Sequence, residues 1–203
     1  MNYFEELHRD RKLTPTILAA ALSACATESV LLNSERIEQQ FGSYGVDVLA
    51  SEKGFRRSSL CSLEGEQRIC RTYAVVRFTD EPDTSYGLLH AQVLAGNSLG
   101  EVFKSHDWAM HKQTLYIGSF ELEESDSEMA ALMRLDGRAD IALHVYQLLL
   151  AKNENVFEYA TIIEAHHPQY LTQTDLLDIY HYDEKDALSA DSIADVVRLL
   201  GAA

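Results

Sequence analysis

The stretch FRRSSLCSLEGEQRICRTYAVV, residues 55–76, concentrates four arginines and two cysteines in what its alternation and its Glu64-Gly65-Glu66 turn mark as two strands of a hairpin. A guanidinium in a half-buried strand must be paired, hydrogen-bonded or given a ligand, because burying it alone is costly. Arg56 alternates with Ser58, Leu60 and Ser62 along one side of the first strand, so a single cation stands over small side chains that leave space beside it. Arg71 and Thr72 fall midway along the return strand, where core residues belong. Two answers stay open on these residues alone. Either Arg56, Arg57, Arg68, Arg71 and Arg77 pair with some of the 32 acidic residues or face water, or Arg56, helped by Arg71, forks onto the carboxylate of a small aromatic or enol acid in a mostly apolar pocket.

Other chemistries find little support. His166-His167 with His181 and Asp183 match no zinc spacing, Ser98-Leu99-Gly100 lacks the context of a hydrolase nucleophile, and no glycine-rich loop is built to cradle phosphate. No metal or organic cofactor is expected. With 17 basic and 32 acidic residues the net charge is −15, which repels nucleic acid and anionic lipid surfaces; a few arginines in a cavity still outweigh that distant charge for a small anion. Cys25, Cys61 and Cys70 form a sparse, odd set that suits a reducing, cytoplasmic setting. Cys61 and Cys70 can face each other across the hairpin if Gly65-Glu66 is its two-residue turn, but the geometry of a disulfide is demanding. Leu22-Ser23-Ala24-Cys25, after Arg9, Arg11 and Lys12, looks like a lipid-attachment box, yet Glu5, Glu6 and Asp10 cancel the basic charge and the run reads as an ordinary buried helix. No stretch reaches the length of a bilayer span.

The elements that must position these residues follow from local pattern. Proline near the first turn of PTILAAALSACAT, residues 15–27, favours a packed helix. Asn33 or Ser34 can cap a short helix through SERIEQQF that Gly42 ends, and GVDVLASEKG then reads as a strand. The opening hairpin spans about 55–63 and 67–78. SYGLLHAQVLAGN has helical spacing, HKQTLYIGSFELE alternates as a strand, and SDSEMAALMRLDG opens as a capped helix with Ser125 and Glu128. Residues 139–150 and 156–165 flank the polar AKNEN as a second hairpin, and the acidic tail from Leu171 carries two helical patterns, TDLLDIYHY and DSIADVVRLLG. The expected fold is α+β: one antiparallel sheet of about six strands with helices packed against it, a domain over 1–170, and a helical C-terminal extension over 171–203 packed on it.

The helix SERIEQQ, the run Arg56-x-x-x-Leu60-Cys61 followed at an ungapped distance by Arg71-Thr72, and Leu99-Gly100 in SLGEVF resemble bacterial chorismate pyruvate-lyase, the family that makes 4-hydroxybenzoate for ubiquinone. The likeness runs from about Leu31 to Phe103, continues more weakly through 143–165, and touches roughly two thirds of the chain. It implies a six-stranded antiparallel sheet with a ligand enclosed under helical flaps. Arg56 would hold a carboxylate, Arg71 would assist, and Leu99 and Gly100 would offer backbone donors. The family's acid is a glutamate in the second strand of the last hairpin. In the simplest alignment that position falls on Ala160; Glu158, two residues earlier, is the candidate replacement, and Glu164 shares the face but lies further along. The resemblance implies a lyase releasing pyruvate from chorismate. It leaves open a non-catalytic, effector-sensing module of the same fold that has lost the acid, and a scaffold whose C-terminal helices contact a protein partner.

Overall fold

In the computed structural model, which describes residues 31–52, 54–79, 82–122, 127–153, 155–182 and 198–199, the arginine-bearing hairpin closes at Gly65-Glu66, with Glu64 opposite Gln67. Its strands are β2 (Phe55–Glu64) and β3 (Gln67–Phe78). β1 (Gly45–Glu52), β4 (Ala109–Leu122), β5 (Ala139–Lys152) and β6 (Asn155–His166) complete a six-stranded sheet of order β1-β2-β3-β6-β5-β4, antiparallel at every pairing. The second hairpin is longer than its alternation marks, and its two strands lie at the centre beside β3, which explains their near-continuous apolar sequence.

Side-chain alternation divides the sheet into two faces. On one, Tyr73 and Val75 of β3, Val145 of β5 and Ile163 and Ala165 of β6 pack against Met129, Ala130 and Met133 of α4 (Glu128–Met133). Complete burial of those two methionines contributes about 1.5–3 kcal/mol each. Ser127 caps α4 by accepting from the Ala130 N–H at 3.1 Å; Ser125, the cap read from sequence, lies outside the described residues. Leu199 packs against this same cluster.

The opposite face carries α1 (Asn33–Phe41), α2 (Gly87–Leu94), α3 (Leu99–Lys104) and α5 (Gln173–Tyr180). Here the core is split. One cluster joins Val76, Phe78, Leu148 and Ile162 to α2, α3 and Trp108, while another joins Ile37 of α1 to Ala142, Tyr170, Leu171 and Leu176 of α5. Gly42 ends α1 in the left-handed conformation (φ 74°), its N–H bonding to the Glu38 carbonyl, as its position after SERIEQQF implies. Neither Asn33 nor Ser34 caps α1: the cap is Leu32, and the Asn33 side chain is engaged in the interior instead.

Register shifts interrupt the alternation of side chains at four places among the described residues, at Leu49 of β1, Leu115 of β4, and two that bear on the site. Across β2 and β3, Leu60 faces Thr72 and Cys61 faces Cys70, so Arg71 is the extra residue. Across β5 and β6, Leu148 faces Ala160 and Leu149 faces Glu158, so Tyr159 is the extra residue. Cys61 and Cys70 are direct cross-strand neighbours and are free thiols. The expected helix over 15–27, Cys25 and all of the last helical pattern except Arg198 and Leu199 lie outside the described residues. Among the described residues no helix is long and apolar enough to cross a membrane.

Candidate functional site

Between the two core clusters of the helix-covered face lies a cavity of about 100 Å³, lined mostly by apolar atoms. That is the scale of the roughly 150 Å³ apolar cavity that admits one benzene ring. Its sheet side is formed by Ala74, Val76, Tyr146, Leu148 and Ile162, and its cover by Leu32, the start of α1, and Ser98, Leu99 and Gly100 at the start of α3. A Cβ at position 100 would come within 3.0 Å of the Leu32 methyl carbons, so glycine there lets α3 close down on α1. An ion pair between Lys104 and Glu35 ties the two helices together, and the Tyr44 hydroxyl donates to Ser98 Oγ at 3.3 Å. Burial, only partly offset by Ser98, pushes that phenol up to about 12.

Arg56 lines this cavity and is 4% exposed. Its Nε donates to Ser58 Oγ at 2.8 Å, and its Nη1 donates to the carbonyls of Val93 and Asn97 at 2.8 and 2.9 Å, at the C-terminal end of α2. Nη2 has no hydrogen-bond partner among the described residues, and it is not one of the sealed-off orphan atoms, which are Arg71 Nη1, His144 Nδ1 and His166 Nε2. No carboxylate among the described residues lies within ion-pair distance of Arg56. Burial lowers its guanidinium below the ordinary arginine range, against the pull of the Tyr44 and Tyr159 phenols. The small residue at 58 both anchors the arginine and leaves the cavity open beside it.

At the other end stands Glu164. Register puts Arg56 beside Val76 and Ile162, and Glu164 two residues beyond Ile162 on the same face. Two strand spacings across and two residues along separate their Cα atoms by about 12 Å. Glu164 Oε1 accepts from Asn33 Nδ2 at 2.8 Å and from the Tyr146 hydroxyl at 3.0 Å; Oε2 accepts from Lys112 Nζ at 3.3 Å. Lys112, another lining residue, also donates to the Tyr180 hydroxyl at 3.4 Å and lies over the Tyr146 ring, 4.5 Å from its centroid. Burial alone would lower the Lys112 ammonium, but Glu164 and the two phenols raise it well above the usual lysine range. His144 and His166 flank Oε2, with Nδ1 at 4.0 Å and Nε2 at 3.9 Å. Burial drives both imidazoles down, His166 to about 4, so both are neutral at pH 7.

The remaining residues read from sequence divide cleanly. Leu99 and Gly100 line the cavity as the first residues of α3. Arg71 does not. As the extra residue of its bulge it turns onto the helix-covered face, but beyond the cavity: Nε donates to Ser62 Oγ at 2.8 Å, the guanidinium pairs with Glu64, and it stacks on Phe41 at 3.9 Å from the ring centroid. Glu158 does not line the cavity either. The expectation that it shares a face with Ala160 assumes an unbroken strand, and the bulge at Tyr159 reverses the alternation. Phe157 and Tyr159 join the helix-covered cluster, whereas Glu158 points to the opposite face and accepts from Gln147 Nε2 at 3.2 Å. The residues give no clear signal of this, since large apolar side chains stand at both odd (Phe157, Tyr159, Ile163) and even (Ile162) positions of β6.

The chain matches no protein-family model and no curated protein sequence.

Proposed function

We propose that this protein binds a small aromatic or enol carboxylic acid in the cavity between Arg56 and Glu164, in the manner of the chorismate-lyase-like fold, and acts on chorismate to release pyruvate. One observation carries the reading: a buried guanidinium without a carboxylate partner among the described residues shares a partly open, mostly apolar cavity with Glu164, whose Cα lies about 12 Å from that of Arg56 on the same sheet face. The ligand carboxylate accepts from Arg56 Nη2, next to the first-turn amides of Leu99 and Gly100, and the ring lies over Ala74, Val76 and Ile162. In the reaction the ether bond between ring and enolpyruvyl group breaks. The ring loses a proton and becomes aromatic, and the departing enolpyruvate gains one and becomes pyruvate. Glu164 delivers that proton, the role for which the resemblance made Glu158 the candidate. No metal or organic cofactor takes part in this scheme, and the reaction suits a cytoplasmic protein.

A second reading has its own support. Glu164 accepts from Asn33, Tyr146 and Lys112, the arrangement of a resting carboxylate rather than of an acid. A site in that state binds an aromatic acid without turning it over, as an effector-sensing module does. Incubating the purified protein with chorismate and measuring pyruvate and 4-hydroxybenzoate separates the two. Formation of both products supports the lyase; no turnover with tight 4-hydroxybenzoate binding leaves the sensor.

A further inference from the structure

The charges inside the cavity point to a residue with a part in the chemistry. Arg56 and Lys112 each bring one positive charge and Glu164 one negative, while His144 and His166, flanking Oε2, are neutral. A monocarboxylate on Arg56 therefore balances the site. A dicarboxylate overfills it by one negative charge, and in a water-poor cavity that excess is removed by proton uptake rather than tolerated. Lys112 Nζ sits where such a second carboxylate would meet it, bonded to Glu164 through Oε2 alone at 3.3 Å, while Oε1 is held separately by Asn33 and Tyr146.

We propose that Lys112 arms Glu164: a dicarboxylate that sets one carboxylate on Arg56 draws Lys112 onto the other, and Glu164, stripped of its counter-charge, takes a proton from solvent on Oε2. This rests on the proposed binding of an acid beside Arg56 and reconciles the lyase with the resting carboxylate, because Glu164 becomes an acid only when the doubly charged ligand is in place. No other bond changes, and the balance is one proton taken from water for each dicarboxylate bound. The groups facing Glu164 are Lys112 from β4, His144 and Tyr146 from β5, His166 from β6, Asn33 from α1, Tyr170 just after β6 through its bond to Asn33, and Tyr180 from α5 through Lys112. Of these, Lys112 alone is a cation within 4 Å of Oε2 among the described residues. Lys112 is thus a positioning residue for the proton.

Calorimetric titration at pH 7 in two buffers of different ionisation enthalpy counts protons taken up on binding. Benzoate serves as the monocarboxylate probe and 3-(carboxymethoxy)benzoate as the dicarboxylate. The expected result is uptake close to one proton for the dicarboxylate and close to zero for benzoate. In Lys112→Met no counter-charge is left for a second carboxylate to draw away from Glu164, so the difference in uptake between the two probes vanishes, and dicarboxylate affinity falls at least tenfold relative to benzoate; Lys112→Arg restores the difference. Equal uptake for the two probes in the wild-type protein, with both bound, overturns the role of Lys112 and leaves the acid-binding cavity intact. Failure of both probes to bind overturns the cavity reading and this one together.

Discussion

Replacing Arg56 by methionine removes two kinds of interaction whose magnitudes can be separated. The first is the contact with the ligand. A hydrogen bond to a charged group contributes about 1.5–3 kcal/mol, and at 1.4 kcal/mol per decade its loss weakens benzoate binding roughly 10–150-fold. The second is structural. Arg56 Nη1 is the donor for the Val93 and Asn97 carbonyls; Val93 keeps a bond from the Gly96 N–H at 3.0 Å, so the main loss falls on Asn97 and on Ser58. One or two orphaned acceptors in a partly open cavity cost about 1–3 kcal/mol, which at this chain length lowers the melting temperature by roughly 2–10 °C. Arg56→Lys keeps the charge, cannot hold Ser58 and the Val93 and Asn97 carbonyls while also reaching the ligand, and should fall between the two in affinity. Thermal unfolding without ligand reads the structural part, and the stabilisation added by saturating benzoate reads the binding part. A methionine variant that melts lower yet gains as much stabilisation from benzoate as the wild type would refute the reasoning, for Arg56 would then be only a clamp on the end of α2.

Three further outcomes rest on the same geometry. Glu164→Gln removes the proton carrier while leaving the hydrogen bonds to Oε1 largely reproducible, so pyruvate release falls about 10²–10⁴-fold with benzoate binding unchanged or tighter; retained turnover in a coupled pyruvate assay contradicts the role. The buried histidines make stability depend on pH: His166 is held at about 4 against an ordinary 6.5, so below pH 6.5 the unfolded chain takes up a proton the native one refuses, and stability falls as pH drops toward 4 by on the order of 3 kcal/mol from this residue, with His144 acting in the same direction. Urea midpoints at pH 7.5 and 5 check this, and equal midpoints would contradict it. Gly118→Ala would set a Cβ 1.9 Å from Tyr116 Oη and 2.4 Å from Cζ, forcing a core ring to move at a cost of about 1–3 kcal/mol; an unchanged melting temperature shows that the ring has somewhere to go.

The parts of the fold that were legible in the sequence are those set by local rules. The Gly65-Glu66 turn fixed the register of β2 against β3, the glycine at 42 stopped α1, and the small residues at 58 and 62 left Arg56 room to lie inward. What stayed hidden depends on single inserted residues. A bulge changes no composition and little local propensity, yet the one at Tyr159 sends Glu158 to the wrong face, and the one at Arg71 carries that guanidinium out to Ser62, Glu64 and Phe41. Lys112 was invisible for another reason. Its partner Glu164 is 52 residues away, and only the β4-β5-β6 pairing brings the two together. A lone acid in the apolar run TIIEA hinted at a buried partner without naming it.

The claim on which the rest depends is that one acid molecule lies between Arg56 and Glu164. A crystal structure of the protein grown with 4-hydroxybenzoate tests it most directly. The account predicts the carboxylate within hydrogen-bond distance of Arg56 Nη2, the ring over Ala74 and Ile162, and the hydroxyl facing Glu164 and Lys112. Density for the ligand elsewhere, or a cavity that stays empty at saturating concentration, would contradict it.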